Sequence, residues 1–296
     1  MPAPSTESTS VTPELLRSWQ LPEPTGDKNS RGSILVIGGS AETLGAVLLA
    51  AEAALRAGAG KLQVATAASV AGHAAAALPE ALVRGLPETD GGAVRADAAD
   101  AVRDLAEAAD AVLLGPGMVD KEQTQGFGER LIPHLECPLA LDALALSCVT
   151  ADESVVHHLG GRAVFTPNPL ELALSLHVKP ADIEDDAAGA TLDLAARARA
   201  AVGLGGVTSW IGAPDGRLWR DESGSAGLGV SGSGDVRAGI TAGLLARGAA
   251  AEQAAVWAAH LHGRAGERLA SSVGRLGFLA RELPAEVPRA LAEITS

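Results

Sequence analysis

Residues Gly32–Thr66 read GSILVIGGSAETLGAVLLAAEAALRAGAGKLQVAT. Within them, Ser33 to Ile37 is a short apolar run rich in branched side chains, Gly38-Gly39 is a turn, Gly45 to Ala57 is an Ala/Leu-rich helix, and Leu62 to Ala65 is a second apolar run. A strand apolar at successive positions must be covered on both faces, so this order predicts parallel strands joined by a crossover helix.

The pattern recurs along the chain. Further strands are expected at Ala111 to Leu114, Leu139 to Leu141, Ala163 to Thr166 and near Val207 to Ile211. Helices are expected at Asp97 to Ala108, Leu192 to Ala201, Val236 to Arg247 and Ala251 to Leu269. The predicted fold class is α/β, a three-layer α/β/α domain with a mainly parallel central sheet. Residues 1–12 are read as a flexible tail and 13–296 as a single domain. A short helix within Val11 to Trp19 would start with Thr12 as cap and Pro13 in its first turn.

With 296 residues and a formal net charge of −13, the chain offers no spread of positive charge for nucleic acid or an anionic membrane. Aromatics make up 2% of it, too few to stack single-stranded bases, so neither nucleic acid nor membrane is an expected partner. Cys137 and Cys148 fit no redox pair or zinc pattern and read as small apolar residues. The first twelve residues lack the features of a secretory signal, and the apolar run Ala46 to Ala54, broken by Glu52, is too short to span a bilayer. A cytoplasmic location is expected.

In open parallel sheets ligands sit beyond the carboxyl ends of the strands. The turn-forming segments fall there: Gly38-Gly39-Ser40, Gly115-Pro116-Gly117, Thr166-Pro167-Asn168-Pro169 and Gly229 to Asp235. The last lies within Gly227–Gly248, GLGVSGSGDVRAGITAGLLARG, where flexible backbone runs into a helix expected to start near Asp235. Free backbone N–H groups and the positive end of the helix dipole then converge on an anion hole that requires no lysine. Asp235 is placed to accept a proton from a hydroxyl attacking a phosphoryl group; capping of the helix is the other reading of the same residue. Gly227, Gly229 and Gly232 also satisfy GxGxxG. The residues after Val236 stay helical, however, and do not continue the βαβ unit a dinucleotide fingerprint requires.

Seven blocks, in order, carry a family resemblance: Gly32–Thr66, LPEALV (Leu78–Val83), LLGPG (Leu113–Gly117), LALDALAL (Leu139–Leu146), AVFTPNPLEL (Ala163–Leu172), APDGRLWR (Ala213–Arg220) and GSGDVRAG (Gly232–Gly239). Together they resemble the NAD(P)H-hydrate dehydratases, ribokinase-like enzymes that repair hydrated nicotinamide cofactors. The resemblance implies a ribokinase-like fold without a lid, phosphorylation of the ring hydroxyl of NADHX or NADPHX using ADP or ATP, and elimination of phosphate. It implies Mg²⁺ with the nucleotide and a homo-oligomer. It places substrate along Ala46, Gly117, Asn168 and the base Asp235, and the nucleotide along Gly205, Gly206, Ser209, Gly232, Ser233 and Gly234.

Several positions depart from the family pattern. The lysine of a Lys-Gly-x-x-Thr segment is replaced by Gly205, a usual His by Asn168, a usual Gly by Leu170, the second acid of Asp-Ala-Asp by Leu144, and a usual Gly by Val119. A small-molecule kinase and a non-catalytic nucleotide-binding paralogue are therefore the other two readings. No residue set is expected to hold a metal by itself. His260 and His262, two apart on a helix, face different ways; Glu171 and Asp142 could orient Mg²⁺ but are favoured as partners of turn backbone. Arg237 replaces a usual Leu, and a cation in a first helical turn opposes the dipole unless an anion lies near. The expectation is that Arg237 reaches the nucleotide phosphate in place of the missing lysine. Removing it should then leave the unliganded chain as stable as before or slightly more so.

Overall fold

The computed structural model describes residues 7–23, 26 and 30–295. Ten strands form one sheet: β1 (Thr9–Ser10), β2 (Ser33–Ile37), β3 (Lys61–Ala67), β4 (Ala81–Leu86), β5 (Ala111–Leu114), β6 (Leu139–Leu141), β7 (Ala163–Phe165), β8 (Ala201–Leu204), β9 (Ser209–Gly212) and β10 (Leu218–Asp221). Their order is β1-β10-β9-β8-β7-β6-β5-β2-β3-β4. From β8 to β4 all seven strands are parallel, while β9 runs antiparallel to β8 and β10. The chain builds outward from β2 to β4, then returns to β5 beside β2 and builds the other way. That reversal opens a crevice past the carboxyl ends of β2 and β5.

Alternate residues of each inner strand serve opposite cores. Ile34 and Val36 of β2, with Ala111 and Leu113 of β5, pack under helices Leu44–Arg56, Ser233–Ala246 and Ala251–Ser272. Leu35, Ile37, Val112 and Leu114 face the other layer, with Phe127, Leu131 and Leu172. This accounts for the unbroken apolar runs in the sequence. No helix among the described residues is long and apolar enough to cross a membrane.

The elements around β2, β5, β6 and β7 lie where the pattern puts them, but four strands do not. Thr9–Ser10, expected in a flexible tail, pairs with Trp219 and Arg220 as an edge strand, while residues 1–6 of that tail lie outside the described residues. β4, β8 and β10 had no clear signal. The strand expected near Val207 to Ile211 is the return arm of a hairpin whose tip occupies 205–208, with Val207 fully exposed. Asp97 to Ala108, expected as one helix, is a 3₁₀ stretch (Ala96–Val102) followed by one short helical turn (Arg103–Glu107). Thr12 caps Pro13–Ser18 as read, its side chain accepting from Leu15 N.

Helix Ser233–Ala246 packs against Leu44–Arg56 backbone to backbone. A Cβ at Gly239 would lie 2.1 Å from the Ala50 carbonyl oxygen, and one at Gly243 would lie 2.4 Å from that of Ala54. Gly239→Ala should therefore force the helices apart and cost about 1–3 kcal/mol in denaturant unfolding. Gly72→Ala, on an exposed helical position with open space around it, is the control and should be neutral or stabilising. Equal stability of the two variants would contradict this packing.

Candidate active site

The carboxyl ends of β2, β5, β6, β7 and β8 form one rim. After β2, Gly39 N donates to the Pro116 carbonyl, and Thr43 Oγ1 donates to the Gly117 carbonyl at 2.5 Å. Gly117 has φ +70°, and a Cβ there would come within 2.5 Å of the Thr43 oxygen and 3.0 Å of Ala46 Cβ. Only glycine lets these two turns close on each other. Ala46 and Gly117, read separately from the sequence as substrate contacts, therefore touch.

After β7, Asn168 caps helix Pro169–Leu176. Its Oδ1 accepts from Glu171 N, and Glu171 Oε2 accepts from Asn168 N, both at 2.9 Å. Glu171 thus has the backbone role favoured for it, and Asn168 stays exposed at the rim with its amide NH₂ uncommitted to this cap. Asp142, after β6, is buried and accepts from Thr166 Oγ1 at 2.6 Å. Gly205 lies after β8, tied by its N–H to the Pro167 carbonyl at 3.0 Å; Gly206 is exposed on the hairpin tip, and Ser209 opens β9.

Helix Ser233–Ala246 starts two residues earlier than read, with Gly232 as its cap at φ +90°. Asp235 consequently sits in the first turn and not at the cap position, its carboxyl lying against its own backbone amide. Gly234 and Asp235 donate to no main-chain acceptor; a Cβ on Gly234 would meet no atom within 4 Å, while the Asp235 amide is met by its own carboxyl. Free amides facing open space at a helix start form an anion site. Ser233 Oγ hydrogen-bonds His262 Nε2 at 2.9 Å. Burial, then the charge of Arg237, pushes the His262 pKa down to about 3, so this imidazole is neutral. Its role had no sequence signal beyond the helical spacing that also aims His260 elsewhere, onto Asp221 at 2.8 Å.

Arg237 corrects one expectation. Its side chain is 8% exposed and does not stand out against the dipole. It runs inward, where Nη2 donates to the carbonyls of Thr166 (3.3 Å), Pro167 (3.3 Å) and Gly203 (2.9 Å). Its removal would take a donor from three buried carbonyls and destabilise the chain, contrary to the gain expected from the dipole argument.

Three carboxyl groups share this rim. Burial, with repulsion from Glu171, raises Asp235 to about 6; burial also raises Glu171. Burial raises Asp142 to about 8, opposed by the Thr166 hydroxyl and reinforced by the charges of Asp235 and Glu171. No cluster of three or more His, Cys, Asp or Glu among the described residues could hold a metal by itself. The donor set suits a Mg²⁺ that keeps its waters and nucleotide oxygens and takes one or two carboxylates from the protein. A cavity of about 730 Å³ opens instead at the amino ends of the strands, lined by Arg31, Arg56, Arg247, Leu55 and Trp257, far from these groups.

The model of the family described as NAD(P)H-hydrate dehydratase matches residues 34–289. The chain belongs to that family. It is 47% identical over 280 residues to the ADP-dependent (S)-NAD(P)H-hydrate dehydratase of Xanthomonas campestris, covering 94% of each chain. It spans about half the length of the bifunctional NAD(P)H-hydrate repair enzymes it also matches, 54% in Moorella thermoacetica. Among solved structures, the ADP/ATP-dependent NAD(P)H-hydrate dehydratase of Bacillus subtilis, co-crystallised with ATP/Mg²⁺, superposes with a TM-score of 0.82 at 27% identity, covering 98% of this chain and all of that one. A ribokinase-like superfamily protein of Enterococcus faecalis (TM-score 0.80, 22% identity, 97% and 96% covered) shares the fold. The dehydratase family fold is thus ribokinase-like here. Only Gly38 to Thr43 separates β2 from its helix, leaving no room for a lid.

The buried Asp142 gives a pH test. Its folded pKa of about 8 lies above its ordinary 3.8, so it is protonated in the folded chain and ionised in the unfolded one. Stability should therefore fall as pH rises between those values. Asp142→Asn removes this contribution, so its stability relative to the wild type should improve from pH 5 to pH 8 by on the order of 1 kcal/mol or more. Parallel denaturation results at the two pH values would exclude a protonated Asp142.

Proposed function

We propose that this chain is a nucleotide-dependent dehydratase that restores hydrated NADH or NADPH by phosphorylating the ring hydroxyl and eliminating phosphate. The observation that carries this reading is the pairing of Asp235 with free amides at the start of helix Ser233–Ala246, in a chain 47% identical to an ADP-dependent enzyme of that activity. The hydrate would lie along Ala46, Gly117 and Asn168. The nucleotide would lie along Gly205, Gly206, Ser209, Gly232, Ser233 and Gly234, its terminal phosphate on the free amides. Nucleotide is ADP or ATP, with Mg²⁺ carried mainly on its phosphates.

Chemically, Asp235 takes the proton of the ring hydroxyl as that oxygen bonds to the terminal phosphorus and the nucleotide leaves with the bridging oxygen. Breaking of the ring C–O bond then releases phosphate, and loss of a ring proton restores the double bond. The amides stabilise charge on the transferred group without a lysine. The reading takes one domain in which the edge strand Thr9–Ser10 joins residues 13–296, supported by the continuous sheet, in a cytoplasmic protein that forms a homo-oligomer as the family resemblance suggests.

The test is recovery of NADH absorbance when the protein is incubated with NADHX and ADP or ATP. Asp235→Asn should fold and bind nucleotide but lose at least about 10²-fold in rate, the scale of general-base catalysis. In the wild type the rate should rise with pH through about 6, as Asp235 becomes ionised and able to accept a proton. A wild-type rate in Asp235→Asn removes Asp235 as base. Nucleotide turnover on other hydroxyl compounds without NADH recovery makes the protein a kinase.

A further inference from the structure

Arg237 is a buried cation in salt-bridge contact with no described carboxylate, although Asp142 and Glu171 lie near enough to act on its charge. All its hydrogen bonds run from Nη2 to three neutral carbonyls, and it forms no salt bridge with any described carboxylate. Nη1 and Nε hold no protein acceptor, yet neither is sealed from solvent. Buried guanidinium groups ordinarily sit against a carboxylate or another anion, because neutral dipoles replace only part of the water they have lost. Here the nearby acids are otherwise engaged: Asp142 with Thr166, and Glu171 with the Asn168 cap.

The surroundings show where the missing anion would enter. A Cβ on Gly205 would lie 2.6 Å from Nη1 and 2.9 Å from both Cζ and Nη2, so the guanidinium fills the space a side chain at 205 would take. Gly205 is half-exposed, and the next residue, Gly206, is open to solvent. One helical turn before Arg237 lie the free amides of Gly234 and Asp235, with empty space beside Gly234. A phosphate entering between the Gly205 turn and the helix start would meet amides on one side and the uncommitted edge of the guanidinium on the other.

We propose that Arg237 is a phosphate-binding residue of the nucleotide site, and that position 205 is glycine because the guanidinium reaches the phosphate past it. The same side chain, through Nη2, ties the turn after β7 to the strand end of β8, so the anion that Arg237 receives also fixes the spacing between the Asn168 side and the Gly205 side of the rim. This deepens the nucleotide reading above and rests on it.

The test is calorimetric titration of ADP into the full chain, with no hydrate present. Arg237→Gln keeps an NH₂ donor for the carbonyls but removes the charge; Arg237→Lys keeps the charge. Arg237→Gln should lose at least about tenfold in ADP affinity, the loss of one charge-assisted bond, and Arg237→Lys should recover most of it. Gly205→Ala crowds the guanidinium, so it should melt lower and bind ADP at least several-fold more weakly in the wild-type background, but cost little further affinity when added to Arg237→Gln. Arg237→Lys keeps the test decisive should Arg237→Gln fail to fold, since a folded Arg237→Lys that no longer binds ADP overturns the proposal. A purely structural Arg237 predicts that Arg237→Gln and Arg237→Lys bind ADP alike and that Gly205→Ala costs the same affinity with or without Arg237→Gln; either result overturns the proposal. Wild-type ADP binding without NADH recovery from NADHX would defeat the dehydratase reading and leave Arg237's role standing. Binding of neither ADP nor ATP by the wild type would defeat both.

Discussion

The close approach of helices Ser233–Ala246 and Leu44–Arg56 is the constraint on which the site depends. The glycine spacing at 239 and 243 matches the alanine spacing at 50 and 54, so the two helices run parallel and begin at the same end of the sheet. A cap at Gly232 with φ +90°, where a Cβ would strike Leu49 at 2.5 Å, then sets the helix start against the other helix. Two positive dipole ends are held over the crevice between β2 and β5 by contacts that tolerate no side chain.

Electrostatics at that rim follow from burial. The chain is acidic, and its site gathers Asp142, Glu171 and Asp235 around the buried cation Arg237. Three acids whose pKa values burial raises would repel an anionic ligand if all were ionised. A protonated Asp142 and a capped Glu171 leave Asp235 as the carboxyl free to exchange a proton. The division of labour comes from environment: full burial beside Thr166 for one, a helix cap for another, and a half-buried position with no hydrogen-bond partner in the cap for the third.

The central strands were legible because their apolar runs are long and bounded by glycine, and the rim followed from them: glycine turns at carboxyl ends can be placed once the strands are. β8 and β10 were not legible. Ala201–Leu204 is four small or aliphatic residues directly after an Ala-rich helix, and the sequence has no marker where helix becomes strand. Thr9–Ser10 becomes a strand only because β10 offers it an edge. Asp235 was found by the anion-hole argument, but its choice between base and cap needed the true helix start. Arg237 was singled out for its charge, but the effect of removing it on stability was read from the helix dipole alone. Position along a helix gives its place on the dipole; only the packing of β7 and β8 shows that the side chain turns inward. His262 was invisible because its partner, Ser233, lies 29 residues away on another element.

The account's central claim is that phosphate is held at the start of helix Ser233–Ala246, beside Asp235. A crystal structure of the ADP complex tests it most directly. The account predicts the terminal phosphate within hydrogen-bonding distance of the Gly234 and Asp235 amides, between them and Gly205. Phosphate density instead among Arg31, Arg56 and Arg247, at the amino ends of the strands, would contradict it.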